Sequence, residues 1–158
     1  MVKLRKFVPS DAPFLRDLFF YTVRHVNIRD YSPAQVQAWA PDEYDREEWL
    51  KKITLLDPFV VDINGVIVAY ADIQPNGYID HFFCHHQYQG QGLGRMLMNK
   101  LKSTAQQQRL ANIYAHVSIT AKPFFLKHGF SVTKAQQVAV RGQVLKNFVM
   151  TFEINPNE

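Results

Sequence analysis

The sequence predicts an α/β fold built on a mixed, mostly antiparallel sheet of about six to seven strands, flanked by helices. Apolar residues recur at helical spacing as far as Leu56 and then give way to runs of β-forming residues. Asn64-Gly65 and Asn76-Gly77 lie between such runs, where Asn-Gly is a strong signal for a hairpin turn. A helical segment between two later strand-like runs predicts one parallel β-α-β crossover.

The first third of the chain predicts one strand and three helices. Residues 2–7 alternate apolar and polar side chains, which is typical of a strand. Ser10 or Asp11 is expected to cap the first helix, and Ser32 followed by Pro33 is expected to begin the second. The helical segments are PFLRDLFFYTVRHV, SPAQVQAWA and DREEWLKKITLL.

The remainder predicts six strands and two helices. The runs on either side of the two Asn-Gly turns form a three-strand meander. A helix follows the glycine-rich loop and continues to about Arg109, and a shorter helix ends at Gly129. Two long strands, residues 131–140 and 144–154, close the chain and turn at Arg141-Gly142.

The strand YIDHFFCHH combines an apolar run with several titratable side chains. Strict alternation predicts one face carrying Tyr78, Asp80, Phe82 and Cys84, and the other carrying Ile79, His81, Phe83 and His85. The histidines and the cysteine suggest zinc, but alternation divides them between the two faces, so we expect no metal site. Cys84 is expected to be a small core residue and not a nucleophile.

Length and composition restrict the class of protein. The 158 residues suit one domain, 1–158, with one sizeable core. A single cysteine and a basic N-terminus without an apolar run predict a cytoplasmic protein. No segment reaches the length of a membrane helix, and the net charge of +4 is not gathered into a stripe. We therefore expect neither a membrane nor a nucleic acid as a partner.

The stretch QGQGLGRMLMNKL joins a glycine-rich loop to an amphipathic helix. A helix N-terminus presents unpaired N–H groups, and glycines before it let a ligand approach the backbone closely. The pattern therefore predicts an anion site, with a plain strand-to-helix turn as the alternative. The spacings of the dinucleotide fingerprint and the P-loop are absent, and the motif is Q-x-x-G-x-G, from Gln89 to Gly94.

At these residues the sequence resembles the GNAT superfamily of N-acetyltransferases, which bind acetyl-coenzyme A. Gln89–Gly94 is similar to that family's pyrophosphate loop, residues 79–85 to its fourth strand, and KPFFLKHGF to its late helix and following Gly-Phe. RDYSPAQVQAWAP resembles an N-terminal segment found in a subgroup of bacterial GNAT proteins. The order of elements agrees over nearly the whole chain.

The resemblance implies acetyl-CoA as the cosubstrate and a β-α-β crossover that carries the pyrophosphate loop. Backbone amides from Gln91 to Arg95 would cap the pyrophosphate, and the backbone of residues 83–85 would pair with the pantetheine arm. The implied cofactor-binding residues are Phe83, Cys84, His85, Gln89, Gly90, Gln91, Gly92, Leu93, Gly94, Arg95, Ser118 and Phe125.

The chain departs from the family at the positions that usually carry chemistry. Phe125 stands where the family usually has a tyrosine acid, and a phenyl ring cannot donate a proton. Ser118 replaces an asparagine that often contacts the cofactor, and Tyr78 stands where a base is often found. The candidate catalytic residues are His116 or Asp80 as the base and Tyr78 or Tyr114 as an acid, with structural roles as the alternatives.

The resulting hypothesis is an N-acetyltransferase that moves an acetyl group from acetyl-CoA directly to a primary amine. An amine must lose its proton before it attacks a thioester, which is why a base is sought. Tyr31 and Trp39 are expected to line the cleft for a small-molecule or peptide amine. The alternatives are a CoA-binding protein with little catalysis and an enzyme that uses another acyl-CoA. The expected oligomeric state is a monomer or a homodimer.

Overall fold

A computed structural model describes residues 1–154, which form eight strands and five helices. The strands are β1 (Val2–Lys6), β2 (Phe59–Ile63), β3 (Val66–Ala71), β4 (Tyr78–Ile79), β5 (Phe82–Cys84), β6 (Asn112–Ser118), β7 (Ser131–Val140) and β8 (Gln143–Glu153). The helices are α1 (Ala12–His25), α2 (Pro33–Trp39), α3 (Arg46–Leu56), α4 (Leu93–Gln107) and α5 (Lys122–Lys127). Over residues 1–154, none of the helices combines the length and apolar character needed to span a membrane.

The strands lie in two four-stranded sheets, with the orders β1-β2-β3-β5 and β4-β6-β8-β7. Every pair is antiparallel except β4 with β6, which is parallel. Helix α4 lies in the connection between these two parallel strands. The predicted class is therefore confirmed: an α/β fold with mixed, mostly antiparallel pairing and one crossover. One predicted strand is divided in two, so there are eight segments.

Local signals account for most helix ends and turns. Ser32 accepts a hydrogen bond from the Gln35 amide while the Gln35 side chain returns to the Ser32 amide, so α2 has a capping box. Asp45 caps α3 by accepting from the amides of residues 47 and 48. Asn64-Gly65 forms the β2–β3 turn with positive φ at both residues.

The predicted cap of α1 is wrong in its geometry. Pro9–Asp11 forms a short 3₁₀ turn, and α1 begins at Ala12 without a side-chain cap. The Asp11 carboxylate instead accepts from the Val8 amide and from the Arg5 guanidinium. The carboxylate therefore ties the turn to β1, because the Arg5 guanidinium of that strand is available as its ion-pair partner.

The apolar side chains form one core on each side of the sheets. The α4-side core includes Leu97, Met98 and Leu101, all fully buried, together with Ile79 and Phe125. The α1-side core consists of residues from α1, α2, α3 and the facing strands: Leu15, Leu18, Phe19, Val23, Val36, Trp49, Ile53, Val60 and Tyr70. Both sheets are thus covered by helices, which fixes the positions of their strands.

The predicted alternation along YIDHFFCHH is also wrong. Ile79 packs in the α4-side core with Phe82 and Cys84, whereas His81 contacts Phe83 and the rings of the α1-side core. One extra residue at Asp80-His81 separates β4 from β5 and reverses the alternation after it, as a bulge does. This break directs β4 to one sheet and β5 to the other.

Candidate active site

The two sheets part at the break between β4 and β5. β4 pairs with β6 through only Tyr78–Tyr114 and Ile79–Ala115, after which β5 pairs with β3. β6 continues beside β8 as far as Ser118, so β5 and β6 diverge. The gap opens into a cavity of about 1020 Å³, lined by residues from both sheets, from α1, α3 and α5, and from the glycine-rich loop.

The glycine-rich loop lies at one end of the cavity, which Gln89, Gly90, Gly92, Leu93, Gly94 and Arg95 all line. Gly92 has φ 82° and stands immediately before α4, a conformation that costs a residue with a side chain about 1–2 kcal/mol. No side chain caps α4, and within residues 1–154 the amides of Leu93, Gly94 and Arg95 have no acceptor. These three N–H groups can therefore bind an anion.

The middle of the cavity, between the glycine-rich loop and the opposite end, is lined by Phe83, Cys84 and Ser118. Two predicted cofactor-binding residues, Gln91 and His85, do not line the cavity. Ser118 is held by a hydrogen bond from the Asn27 side chain and one from the Ala121 amide. Burial raises the pKa of the Cys84 thiol to about 11. Cys84 is therefore a neutral thiol near pH 7, consistent with the predicted absence of a nucleophilic role.

The three candidate catalytic side chains lie where the strands part, and all line the cavity. The rings of Tyr78 and His116 are 5.2 Å apart between centroids, and His116 and Asp80 are exposed. Burial, with the negative charges of Asp80 and Asp72 as lesser causes, raises the pKa of Tyr78 to about 12. Tyr78 therefore keeps its proton at neutral pH, and the raised pKa makes it a weaker acid than an ordinary tyrosine.

The break between β4 and β5 is held by a carboxylate that the sequence analysis missed. Asp72 is fully buried, and its Oδ1 accepts hydrogen bonds from the amides of His81 at 2.6 Å and Asp80 at 3.1 Å. The Gln74 side chain donates to its Oδ2. Burial raises the pKa of Asp72 to about 6. The only local signal was an acidic residue directly after the apolar run VIVAYA.

His81 is buried among the aromatic side chains of the α1-side core. Its Nδ1 lies 2.9 Å from the hydroxyl of the fully buried Tyr70, and its ring packs near Phe19 and Trp49. Burial, helped by the positive charge of Lys52, lowers the pKa of His81 to about 3. His81 is therefore neutral at physiological pH and a weak base.

Comparison with known proteins identifies the family. The sequence model described as the Acetyltransferase (GNAT) domain matches residues 27–152. The chain belongs to the GNAT acetyltransferase family. In this GNAT domain the glycine-rich loop lies directly before α4, and β5 diverges from β6 beside it.

Individual GNAT relatives agree over nearly the full length. The chain is 30% identical to the uncharacterized N-acetyltransferase YafP of Escherichia coli K12, covering 96% of each sequence. It superposes on the GCN5-related N-acetyltransferase of Rhodopseudomonas palustris with a TM-score of 0.91 at 26% identity, covering 96% and 94% of the two chains. The PaiA N-acetyltransferase of Thermoplasma acidophilum, solved with coenzyme A, shares the fold at a TM-score of 0.78 and 14% identity, covering 97% and 99%.

The GNAT late helix provides no proton donor at Phe125. Its ring is 3% exposed and packs edge-on against Phe82 and Phe130 in the α4-side core. An acid for this GNAT domain would therefore have to come from another element, and Tyr78 on β4 lines the same cavity.

Replacing Asp72 with alanine is expected to destabilise the protein by about 2–4 kcal/mol. The variant leaves the amides of Asp80 and His81 buried without their acceptor, and each such loss costs about 1–3 kcal/mol. Urea unfolding measures the change. Asp72→Asn keeps an acceptor oxygen and is the matched control, expected within about 1 kcal/mol of the parent at pH 4, where the Asp72 side chain is also neutral.

The difference in stability between Asp72→Asn and the parent is expected to change with pH. Because the folded-state pKa of Asp72 is about 6, above the ordinary 3.8, the parent loses stability as pH rises between these values. Asp72→Asn lacks this ionisation and should therefore gain relative to the parent between about pH 4 and pH 6. A constant difference across that range would contradict the assignment of a buried, reluctantly ionised carboxylate.

Proposed function

We propose that this chain is an N-acetyltransferase that transfers an acetyl group from acetyl-CoA directly to a primary amine. The observation that carries the proposal is one continuous cavity. It runs from the unpartnered amides at the start of α4, through the gap between β5 and β6, to titratable side chains on the far side. A cosubstrate and an acceptor can therefore meet inside the protein. We retain the predicted cytoplasmic location and single domain as part of this proposal.

The cofactor end supports binding of a pyrophosphate. The free amides of Leu93, Gly94 and Arg95 combine with the positive end of the α4 dipole, and Arg95 adds an exposed guanidinium. The backbone of Phe83 and Cys84 lies at the edge of its sheet, where an extended pantetheine arm would add as a strand does. PaiA, solved with coenzyme A, and the yncA acetyltransferase, solved with acetyl-CoA, have the same fold.

The side chains at the gap support the chemistry of transfer. Acetyl-CoA would supply a thioester whose carbon the amine attacks, forming the C–N bond as the C–S bond breaks. His116, through a water molecule, takes the proton that the amine loses. Tyr78 donates a proton to the departing sulfur, a role that Phe125 cannot fill. Asp80 is the alternative base, because it is exposed on the same rim.

A second candidate function follows from Phe125. A GNAT domain without a proton donor on its late helix could bind coenzyme A and catalyse weakly or not at all, or could use a different acyl-CoA. Calorimetric titration with acetyl-CoA followed by an amine panel separates these functions. Binding with turnover supports the transferase, binding without turnover supports the CoA-binding protein, and no binding by the folded protein contradicts both.

His116→Ala is expected to lower kcat about 100-fold or more while leaving the Kd for acetyl-CoA unchanged, since general base catalysis contributes about that much. His25→Ala is the matched control, because His25 is an exposed histidine that is not part of the cavity lining. A kcat for His116→Ala equal to that of the control would assign the base to another group. Asp80→Asn would then be the next variant to measure.

A further inference from the structure

The far end of the cavity contains a buried arginine that has no ion-pair partner among residues 1–154. Arg16, in the second turn of α1, is 5% exposed and lines the cavity. Its Nη2 donates to the carbonyl oxygen of Pro41, and this is its one hydrogen bond among residues 1–154. It forms no ion pair in that part of the chain, although burying a charge without compensation is unfavourable.

Aromatic rings surround this guanidinium. Its Cζ lies 4.4 Å from the ring centroid of Tyr44, 5.4 Å from that of Phe19 and 5.6 Å from that of Trp49. Trp49 is fixed in turn by a hydrogen bond from its indole N–H to the Ala12 carbonyl. The rings hold the guanidinium in place and exclude water from its faces, which strengthens any charge interaction that it makes.

The charged side chains near Arg16 do not neutralise its positive charge. Burial is the largest cause and lowers the pKa of Arg16; Tyr44 and Tyr70 act against this shift, and the positive charges of Arg141 and Arg24 add to it. The acidic residues of the nearby lining are Glu43, Asp45 and Glu48, and all three are exposed. Asp45 also uses its carboxylate to cap α3. Arg141 and Lys52 add two further positive side chains to the lining of the same cavity.

Arg16 lies on the acceptor side of the sheets. It is surrounded by rings of the α1-side core, whereas Leu93 of the glycine-rich loop belongs to the α4-side core. The Phe19 ring contacts both the Arg16 guanidinium and, at 5.8 Å between centroids, the His81 ring beside the β4–β5 break. An anion bound to Arg16 would therefore be separated from the β4–β5 break by about the width of the Phe19 ring. A ligand several bonds long can span that separation.

From this geometry we infer that the acceptor is an amine carrying a carboxylate or phosphate group, and that Arg16 binds that anion. The inference rests on the proposed acetyl transfer for the identity of the nucleophile. A guanidinium presents a planar fork of donors that matches either anion in a bidentate pair. The bound anion supplies the partner that the protein itself does not provide, while the amine end of the ligand faces His116 and Tyr78.

The test compares ligands that differ only in the anion, by calorimetry on the protein saturated with CoA. The pairs are 6-aminohexanoate with 6-aminohexanamide, and phosphoethanolamine with ethanolamine, so the two arms distinguish carboxylate from phosphate. The anionic member of at least one pair is expected to bind about 10- to 100-fold more tightly than its neutral partner. Equal affinity within both pairs, or no binding by any member, would overturn the inference.

Arg16→Gln is expected to abolish this discrimination without changing the Kd for CoA. Arg24→Gln is the matched control, because Arg24 is also on α1 and also holds residues 40–42, through Ala40 and Asp42, but does not line the cavity. If Arg16 only anchors that segment, the two variants will behave alike and the inference fails. Arg16→Lys keeps the positive charge but lacks the planar fork of donors, so it should retain part of the preference for the anionic ligands. This variant tests the inference if Arg16→Gln folds poorly.

Binding and transfer are read out separately. Discrimination between the pairs with no acetylation of any ligand would contradict the proposed transfer and leave the anion site standing. Acetylation that is equally fast for anionic and neutral amines would confirm the transfer and contradict the anion site.

Discussion

Gly92→Glu is expected to raise the Kd for acetyl-CoA by at least about 100-fold. The variant places a carboxylate at the N-terminus of α4, where the free amides are proposed to bind the pyrophosphate. Two negative charges about 4 Å apart near a protein surface repel by about 4 kcal/mol, which exceeds a 100-fold change in affinity. A Cβ at this position has Arg95 Nη2 at 3.5 Å as its neighbour, so the new carboxylate also competes for that guanidinium.

Two control variants isolate the charge from the backbone effect. Gly65→Glu introduces the same side chain at φ 88°, close to the 82° of Gly92, on the open β2–β3 turn. Gly92→Asn places an uncharged residue that tolerates positive φ at the loop itself. Both should bind acetyl-CoA within about tenfold of the parent. If calorimetric titration shows that Gly92→Glu binds acetyl-CoA as tightly as the parent, the loop does not bind the pyrophosphate.

Gly77→Ala is expected to destabilise the fold by about 2–5 kcal/mol. Gly77 has φ 90°, and a Cβ there would lie 2.4 Å from the backbone oxygen of Asn112 at the start of β6. Positive φ costs about 1–2 kcal/mol for alanine, and overpacking against a fixed group adds about 1–3 kcal/mol. Urea unfolding measures the loss. The Gly77 carbonyl also accepts from the Tyr114 amide, so the parallel β4–β6 pairing should loosen with it.

Gly65→Ala is again the matched control, because it has φ 88° and no atom within 4 Å of the added Cβ. It carries the backbone cost alone and should lose only about 1–2 kcal/mol. The difference between the two alanine variants therefore reports the close approach of the β3–β4 turn to β6. Equal losses would mean that the two strands can move apart without penalty.

Sequence signals that act over a few residues predicted the elements well. The cap at Ser32 and the Asn64-Gly65 turn form as predicted, because each depends on hydrogen bonds or φ values within four residues. The Q-x-x-G-x-G motif likewise lies directly before a helix, since glycine spacing and helical periodicity are properties of adjacent residues. Such signals were sufficient to indicate the GNAT family.

The division of YIDHFFCHH into β4 and β5 was not predictable in this way. Alternation assumes an uninterrupted strand, and the residue that interrupts it is Asp72, on the far side of the Asn76-Gly77 turn. Its carboxylate replaces a strand partner for the amides of Asp80 and His81. Ile79 therefore shares a core with Phe82 because of two hydrogen bonds to Asp72 that periodicity does not encode.

By itself the sequence determined the order of helices and strands, the turn positions and the glycine-rich loop before α4, because these follow from local backbone preferences and hydrophobic periodicity. The tertiary structure alone decided where the sheets part and what the cavity can bind. Arg16 reads locally as one more charged residue on an amphipathic helix. It becomes a buried cation, with no ion pair in the part of the chain that the structure describes, because rings from α1, α3 and the segment before α3 close around it. Burial and electrostatic pairing are properties of residues brought together by folding, and not of their neighbours along the chain.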